Sequence, residues 1–396
     1  MRYRFSDCVL DAGAYTLTRA GTPVPVEPQV FDLLCLLAEN AGQLVTKDAL
    51  VARVWDGRIV SEATISGRIN AARTAVGDTG KAQAVIRTVP RRGFELVAPT
   101  TREEDAPAEV HDLPAPRSQT IRYTTSRDGA LIAWSSSGEG PPLVRSGHQF
   151  THLERDWTSA FFQPHFEALC ARHRLIRFDT RGTGLSESKL DGADLDRHVE
   201  DFSAVIEAAG LDRFDHLTTL QNTAVSVRYI ARNPGRVRRL VIQTGYARGR
   251  AHRGAAIENQ ELDPFLGMLR SGAWGDPTNG FTRAWVSAAF PSLTGAETTR
   301  MVEDFGAAAS AEDALATRLI LDRFDARADM AALELPVLVI HARACAIHPL
   351  QEGRLLAAGI KGAEFIVFDS ANVVCVASDP TFADQNRAIL EFFDRA

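Results

Sequence analysis

The spacing of apolar positions changes twice along the first hundred residues. Short alternating segments, YRFSDCVLD, YTLTRAG and TPVPVEP, give each stretch one apolar face and predict strands of a small antiparallel sheet. The period then lengthens. VFDLLCLLAENAG predicts a first helix that stops near Gly42. TKDALVARVW predicts a second, with Thr46 as N-cap and Leu50, Val51 and Val54 facing inward. SEATISGRINAARTAVGD predicts a third, capped by Ser61, with Ile65, Ile69, Ala72 and Val76 at helical spacing; this leaves Ser66, Arg68, Asn70 and Arg73 toward the outside. The run VIRTVPRRGFELVA closes the segment as a hairpin with Arg91, Arg92 and Gly93 at its tip.

Residues 101–119, TREEDAPAEVHDLPAPRSQ, have no sustained apolar period and are rich in Pro, Ala and acidic side chains, which predicts a linker. After it, PPLVRS, RLIRFD, HLTTL, RRLVIQT, PVLVIHA and AEFIVFD recur with helical stretches between them. Strand and helix in alternation predict a doubly wound, mostly parallel sheet over residues 120–396. Between about 246 and 325 the alternation gives way to a helical insertion carrying Phe265, Trp274, Phe281, Trp285, Phe290 and Phe305. The expected architecture is therefore two-domain: an α+β unit over 1–100, a linker over 101–119, and an α/β unit with a helical cap.

Composition narrows the function classes. The 396 residues are 45% hydrophobic and 24% charged, which excludes a wholly disordered or fibrous chain. No apolar run reaches the roughly 18 to 20 residues of a membrane span, and MRYRFSDCVLD has no signal-peptide core, so the expectation is a cytoplasmic protein with no membrane partner. Five cysteines without a CxxC suggest neither a disulfide framework nor a zinc site, and no metal is expected. The net charge of −6 hides an asymmetry, since residues 1–100 hold 12 basic and 10 acidic side chains. Over residues 58–92 seven cations face only Glu62 and Asp78, a balance suited to a polyanion.

QVFDLLCLLAENAG, the spacing to VW, the helix SGRINAARTAVGD and the wing IRTVPRRGF together resemble the OmpR/PhoB-type winged-helix DNA-binding domain over its full length. The resemblance implies double-stranded DNA as partner, with the third helix in the major groove and the hairpin on the adjacent backbone or minor groove. The side chains expected at that interface are Arg58, Ser66, Arg68, Asn70, Arg73, Arg87, Thr88, Arg91 and Arg92. Arg and Asn read guanine and adenine edges bidentately. Regulators of this type commonly bind paired half-sites, which implies a homodimer. They usually carry a receiver or membrane sensor, and residues 120–396 read as neither.

Residues 120–396 resemble the α/β-hydrolase fold through RFDTRGTGLSE, VEDFSAVIEAAGLDRF, YIARNPGRVRRLVI and LPVLVIHARACAIHPLQEGRLLAAGI; GHQFTHLERDW and GYARGRAHRG look like hydrolase-like domains fused to bacterial regulators. The resemblance implies a serine on a tight G-x-S-x-G turn, an acid and a histidine. Here those three positions read Leu220, Cys345 and Val373, with Gln221 next to the first. Leu, Gln and Val can neither be activated as nucleophiles nor move a proton. The expectation is thus a pseudo-hydrolase that binds a small apolar or aromatic effector, with His148, Gln149, Leu220, Gln221, Trp274, Phe281, Trp285, Cys345 and Val373 lining the site. The plainer reading of the rings is that they form the cap's own core. No cofactor is expected, because the glycines of RFDTRGTGLSE fail the GxGxxG spacing. A thiol-based redox regulator through Cys345 and Cys375, residual hydrolase activity, and a constitutive DNA binder are the alternatives.

Overall fold

The computed structural model describes residues 2–11, 16–24, 26–55, 60–103, 118–253 and 263–395. Contacts divide the chain into two compact units, residues 1–113 and 114–396.

The first unit opens with strands β1 (Arg2–Phe5), β2 (Cys8–Asp11), β3 (Thr16–Arg19) and β4 (Thr22–Val24), an antiparallel meander. Helix α1 (Pro28–Glu39) follows, started by a proline whose missing N–H costs nothing in the first turn. Strand β5 (Val45–Thr46) leads into α2 (Lys47–Val54), where the Thr46 hydroxyl accepts from the Ala49 N–H at 3.2 Å. Helix α3 (Glu62–Ala75) is capped in the same way, by Ser61 accepting from Thr64 at 3.1 Å. Strands β6 (Ile86–Val89) and β7 (Gly93–Leu96) form the basic hairpin and pair with β5 in the order β5-β7-β6. Gly93 is required there: a Cβ would lie 2.0 Å from the Val45 carbonyl oxygen. Strand β8 (Thr100–Glu103) returns to pair with β1. The first residues read from sequence as linker, 101–103, are therefore sheet, because their extended backbone completes the free edge of β1. Leu10, Leu17, Phe31, Leu34, Leu37, Leu50, Ile69, Ile86 and Leu96 make a common core.

The second unit is built on an eight-stranded sheet. Its strands are β9 (Thr120–Thr125), β10 (Leu131–Ser137), β11 (Pro142–Ser146), β12 (Arg174–Phe178), β13 (Phe214–Thr219), β14 (Val237–Gln243), β15 (Val337–Ala342) and β16 (Glu364–Phe368). They lie in the order β9-β10-β12-β11-β13-β14-β15-β16, antiparallel at β9 and β10 and parallel from β12 onward. Helices α4 (Leu153–Thr158), α5 (Gln163–Cys170), α6 (Leu195–Ala208) and α7 (Asn222–Arg232) lie among the first six strands in chain order. All six residues of β13 are buried, as expected for a central strand covered on both faces. Among the described residues, four α-helices come between β14 and β15: α8 (Pro264–Arg270), α9 (Gly280–Ala289), α10 (Gly295–Ala308) and α11 (Ala311–Leu321). The chain ends with α12 (Leu350–Gly359) before β16 and α13 (Phe382–Asp394) after it. Two apolar layers result, one with Phe202, Phe214 and Tyr229, the other with Phe166, Leu217 and Phe392 and continuous with the four inserted helices.

Candidate functional site

In the first unit, the outer face of α3 is less basic than its sequence suggests. Ser66 and Asn70 are exposed. Arg68 is half-buried at the side of the helix, where Nε donates to Gln29 Oε1 at 3.1 Å and Nη1 pairs with Glu27. Arg73 is not on the outside at all. It is buried, and its guanidinium donates to the Ile86 carbonyl at 3.1 and 2.9 Å and to the Thr88 hydroxyl at 2.8 Å. Arg73 therefore ties α3 to the hairpin, and Thr88 serves as its acceptor. Burial lowers the Arg73 pKa and Asp78 opposes that shift. Arg87 is exposed and pairs with Glu95 at 2.6 Å, while Arg91 and Arg92 are exposed at the hairpin tip, Arg91 with φ +63°. Arg58 lies outside the described residues. Asp78 accepts from the N–H groups of Thr79, Ala84, Val85 and Ile86, which fixes the approach to the hairpin.

In the second unit, a cavity of about 60 Å³ opens where strands end beneath the inserted helices. Leu220 follows β13 in the left-handed backbone region, φ +51°, and α7 starts two residues later. A side chain on such a turn is thrust out above the sheet. Around it Asn222 Nδ2 donates to the Gly147 carbonyl at 2.8 Å and Thr219 to the Ser146 carbonyl at 3.1 Å. Ser226 joins His216, 2.7 Å away, to the Thr218 hydroxyl at 2.9 Å. Asn222 and Thr219 thus tie the turn to the end of β11.

Val373 also reaches the cavity, and its N–H donates to the Ala289 carbonyl of α9 at 2.8 Å. The preceding residues are fixed by Asp379, which accepts from Ser370 and from Asn372. Of the side chains expected to line a ligand site, the cavity brings together His148, Gln149, Leu220, Gln221, Trp285 and Val373. Three expected there are elsewhere. Trp274 is packed inside the cap, with Nε1 donating to the Ala309 carbonyl at 2.9 Å and its ring 4.5 Å from that of Phe150. Phe281 is 47% exposed, one position off the buried stripe Thr282, Val286, Ala289 of α9. Cys345 is buried behind the wall, where its sulfur accepts from the His348 N–H at 3.4 Å.

The sequence reading missed the polar end of the cavity: Tyr246, Arg250, Arg318, Asp322 and His348. Arg318 Nε donates to Asp322 at 2.8 Å and Nη2 to Asp263 at 2.8 Å. Arg250 sits 3.7 Å from Asp263 and 3.4 Å from the Ile347 carbonyl. His348 stacks on Tyr246 with centroids 4.8 Å apart. The signal for this end was the arginine-rich run GYARGRAHRG directly after β14.

Burial dominates the electrostatics. His148, between Phe162 and Phe305, is pushed down to about 3 by burial, helped by Arg145. Asp156, 3.8 Å from it, is pushed up to about 7 by burial. Both shifts favour the neutral forms, and 3.8 Å is too long for a hydrogen bond, so the two do not form an ion pair. His348 is held well below its ordinary value by burial and by the nearby arginines, and Tyr246 is pushed up to about 12 by burial. Among the described residues no cluster of three or more metal-ligating side chains occurs, and no helix is long and apolar enough to cross a membrane.

Comparison with known proteins fits this division. Residues 21–96 match the family "Transcriptional regulatory protein, C terminal". The transcriptional activator CadC of Escherichia coli is 29% identical over 176 residues, 44% of this chain, which spans only 33% of CadC. A putative carbamate hydrolase, RutD, of Azorhizobium caulinodans is 26% identical over 240 residues, 61% of this chain and 87% of that protein. Among solved structures, the enol-lactonase of Burkholderia xenovorans superposes with a TM-score of 0.55 at 21% identity, covering 69% of this chain and all of the lactonase. An esterase of Exiguobacterium antarcticum gives 0.57 at 17% identity, over 68% and 97% of the two chains. These structural likenesses establish the fold of the second unit, and the family match establishes the first. The chain joins an OmpR/PhoB-type winged-helix DNA-binding domain to a domain of the α/β-hydrolase fold.

Proposed function

We propose that the protein is a one-component transcriptional regulator that acts in the cytoplasm as a homodimer on operator DNA. Its hydrolase-fold unit is a catalytically inactive receptor for a small effector with an apolar or aromatic body. The observation that carries this reading is Leu220. It occupies the positive-φ turn between β13 and α7, where this fold holds its nucleophile, and it faces the cavity with Val373. An apolar side chain there offers contact area and no reactive atom. The cavity's volume has room for roughly four waters, so an effector of more than a few heavy atoms requires the cap to yield. A ligand that prefers the yielded state shifts the protein toward it by its difference in affinity for the two states.

The thiol-based alternative has less support. Burial raises the Cys345 thiol and pushes Cys375 to about 12, so neither supplies a thiolate near neutral pH. All five cysteines are free.

The test is mass spectrometry of the freshly purified full chain, native and then denaturing, joined to operator titrations with whatever is released. A bound small molecule that changes operator affinity is the expected result. Turnover of simple esters, or a stability and operator affinity that no small molecule alters, would sink the receptor reading.

A further inference from the structure

We infer that the effector is a small acid: an apolar or aromatic body against Leu220, Trp285 and Val373, and one carboxylate taken by Arg250. This rests on the receptor reading above and adds the chemical class of the ligand.

The charge around the polar end of the cavity does not balance. Arg248, Arg250, Arg253 and Arg318 stand against Asp263, Asp322 and Glu352, one positive charge in excess among the described residues. Three of the arginines are engaged at short range. Arg318 holds two carboxylates at 2.8 Å, Arg248 holds Glu352 at 3.0 Å, and Arg253 donates to the Arg248 carbonyl at 3.0 and 2.9 Å while lying over the Tyr246 ring. Among the described residues Arg250, which lines the cavity, is the most loosely held of the four; its contacts are the Asp263 carboxylate at 3.7 Å and the Ile347 carbonyl at 3.4 Å. Burial and the neighbouring Arg318 disfavour its charge, and Asp263, Asp322 and Tyr246 offset this only in part, so the net shift is downward. An anion entering the cavity offsets this penalty by direct attraction.

A second, independent observation points to a polar ligand. His148 is almost fully buried on the cavity wall, and neither ring nitrogen has a partner; His348 Nδ1 and Gln149 Nε2 are also buried and unpartnered. Buried polar atoms are ordinarily hydrogen-bonded. A neutral imidazole offers one donor and one acceptor to an occupant. A carboxylate carries the single charge that the excess requires, and its planar pair of oxygens matches the guanidinium fork. Nucleotides and other polyanions overshoot the single excess charge and offer no apolar body to Leu220, Trp285 and Val373.

The experiment uses the full-length protein and two matched pairs, benzoate with benzamide and phenylacetate with phenylacetamide, in calorimetric titrations at neutral pH. The expected result is that each acid binds at least tenfold more tightly than its amide. Arg250→Gln removes that preference and Arg250→Lys restores part of it, with both variants keeping the parent's melting temperature in the absence of ligand. Amides that bind as well as the acids, or an acid preference that survives Arg250→Gln, overturn the inference and leave the receptor reading standing. Failure of both acids to bind also overturns the inference, while the receptor reading is decided separately by the mass-spectrometric search for a bound molecule.

Discussion

The Arg73 guanidinium of helix α3 donates to the Thr88 hydroxyl of strand β6 at 2.8 Å, so the helix and the hairpin that should contact DNA are tied to each other from within. With the two bonds to the Ile86 carbonyl, Arg73 is a structural arginine. Arg73→Ala leaves a buried carbonyl unpaired, which costs about 1–3 kcal/mol. The expected outcome is a lower urea midpoint for the winged-helix unit. Site preference on DNA should be kept under conditions where the variant is folded. A variant of unchanged stability that has lost its operator would return Arg73 to the interface.

With Arg73 inside and Arg68 held at the side by Glu27 and Gln29, Asn70 is the exposed residue of α3 best suited to reading a base. Asn70→Ala should cost about 1–3 kcal/mol on the operator and little on unrelated DNA. Arg91→Ala at the hairpin tip should weaken both and reduce the slope of log K against log salt by about 0.9, as the loss of one phosphate contact requires. Binding competitions at two or more salt concentrations separate the cases. An equal loss on all sequences for Asn70→Ala would assign it to the backbone.

Leu220→Ser restores a hydroxyl on a turn whose backbone already has φ +51°. On the proposed reading Cys345 and Val373 stand at the acid and base positions, and burial holds the nearby His148 and His348 well below their ordinary values, which makes them poor bases for that hydroxyl. Hydrolysis of p-nitrophenyl acetate by the parent and by Leu220→Ser should both stay at the buffer rate. Activity of the parent above that rate, lost on mutating the cavity, would show that chemistry persists by another route.

Much of this was legible in the residues. The alternating segments before residue 25, the capped helices at Thr46 and Ser61, and the strand sequence up to AEFIVFD all depend on local spacing, which a sequence displays directly. That Leu220 and Val373 meet at one cavity followed from the motifs that anchor the turn after β13 and the loop after β16. Arg73 was misjudged by its charge. It lies four residues after Ile69 and eight after Ile65, on the flank of the buried stripe, and a long side chain from that flank can reach the Ile86 carbonyl. Phe281 was misplaced for the opposite reason: an aromatic ring near the start of a helix reads as core, yet the stripe through Val286 passes it by. The polar end of the cavity was not legible, since Arg250 and Arg318 meet over 68 positions of chain through Asp263, a convergence that only the folded cap creates.

Buried histidines set the response of the second unit to acid. His148 and His165 are pushed down to about 3 and His216 to about 4, in each case chiefly by burial. Between those values and the ordinary 6.5, the unfolded chain binds protons that the folded one does not, so their contribution is complete above pH 6.5 and is lost as the pH falls. Asp156, pushed up to about 7 by burial, works the other way: the folded state holds its proton between about 4 and 7, and its contribution is lost as the pH rises. Three groups oppose one across the shared window. His173, His198, His341 and His348, all lowered by burial, reinforce the three, while Asp179 and Asp215, raised by burial, add to the one. The unit should therefore lose stability on going from pH 6.5 to pH 4.5, by at most about 1.4 kcal/mol per pH unit for each net proton. Trp134, Trp157, Trp274 and Trp285 belong to this unit and only Trp55 to the other, so urea unfolding followed by tryptophan fluorescence reads it almost alone. His148→Gln should make the slope shallower by about one proton, because glutamine does not titrate and His148 forms no hydrogen bond that the change would break. A urea midpoint that rises on acidification would mean that the buried carboxylates, led by Asp156, outweigh the histidines.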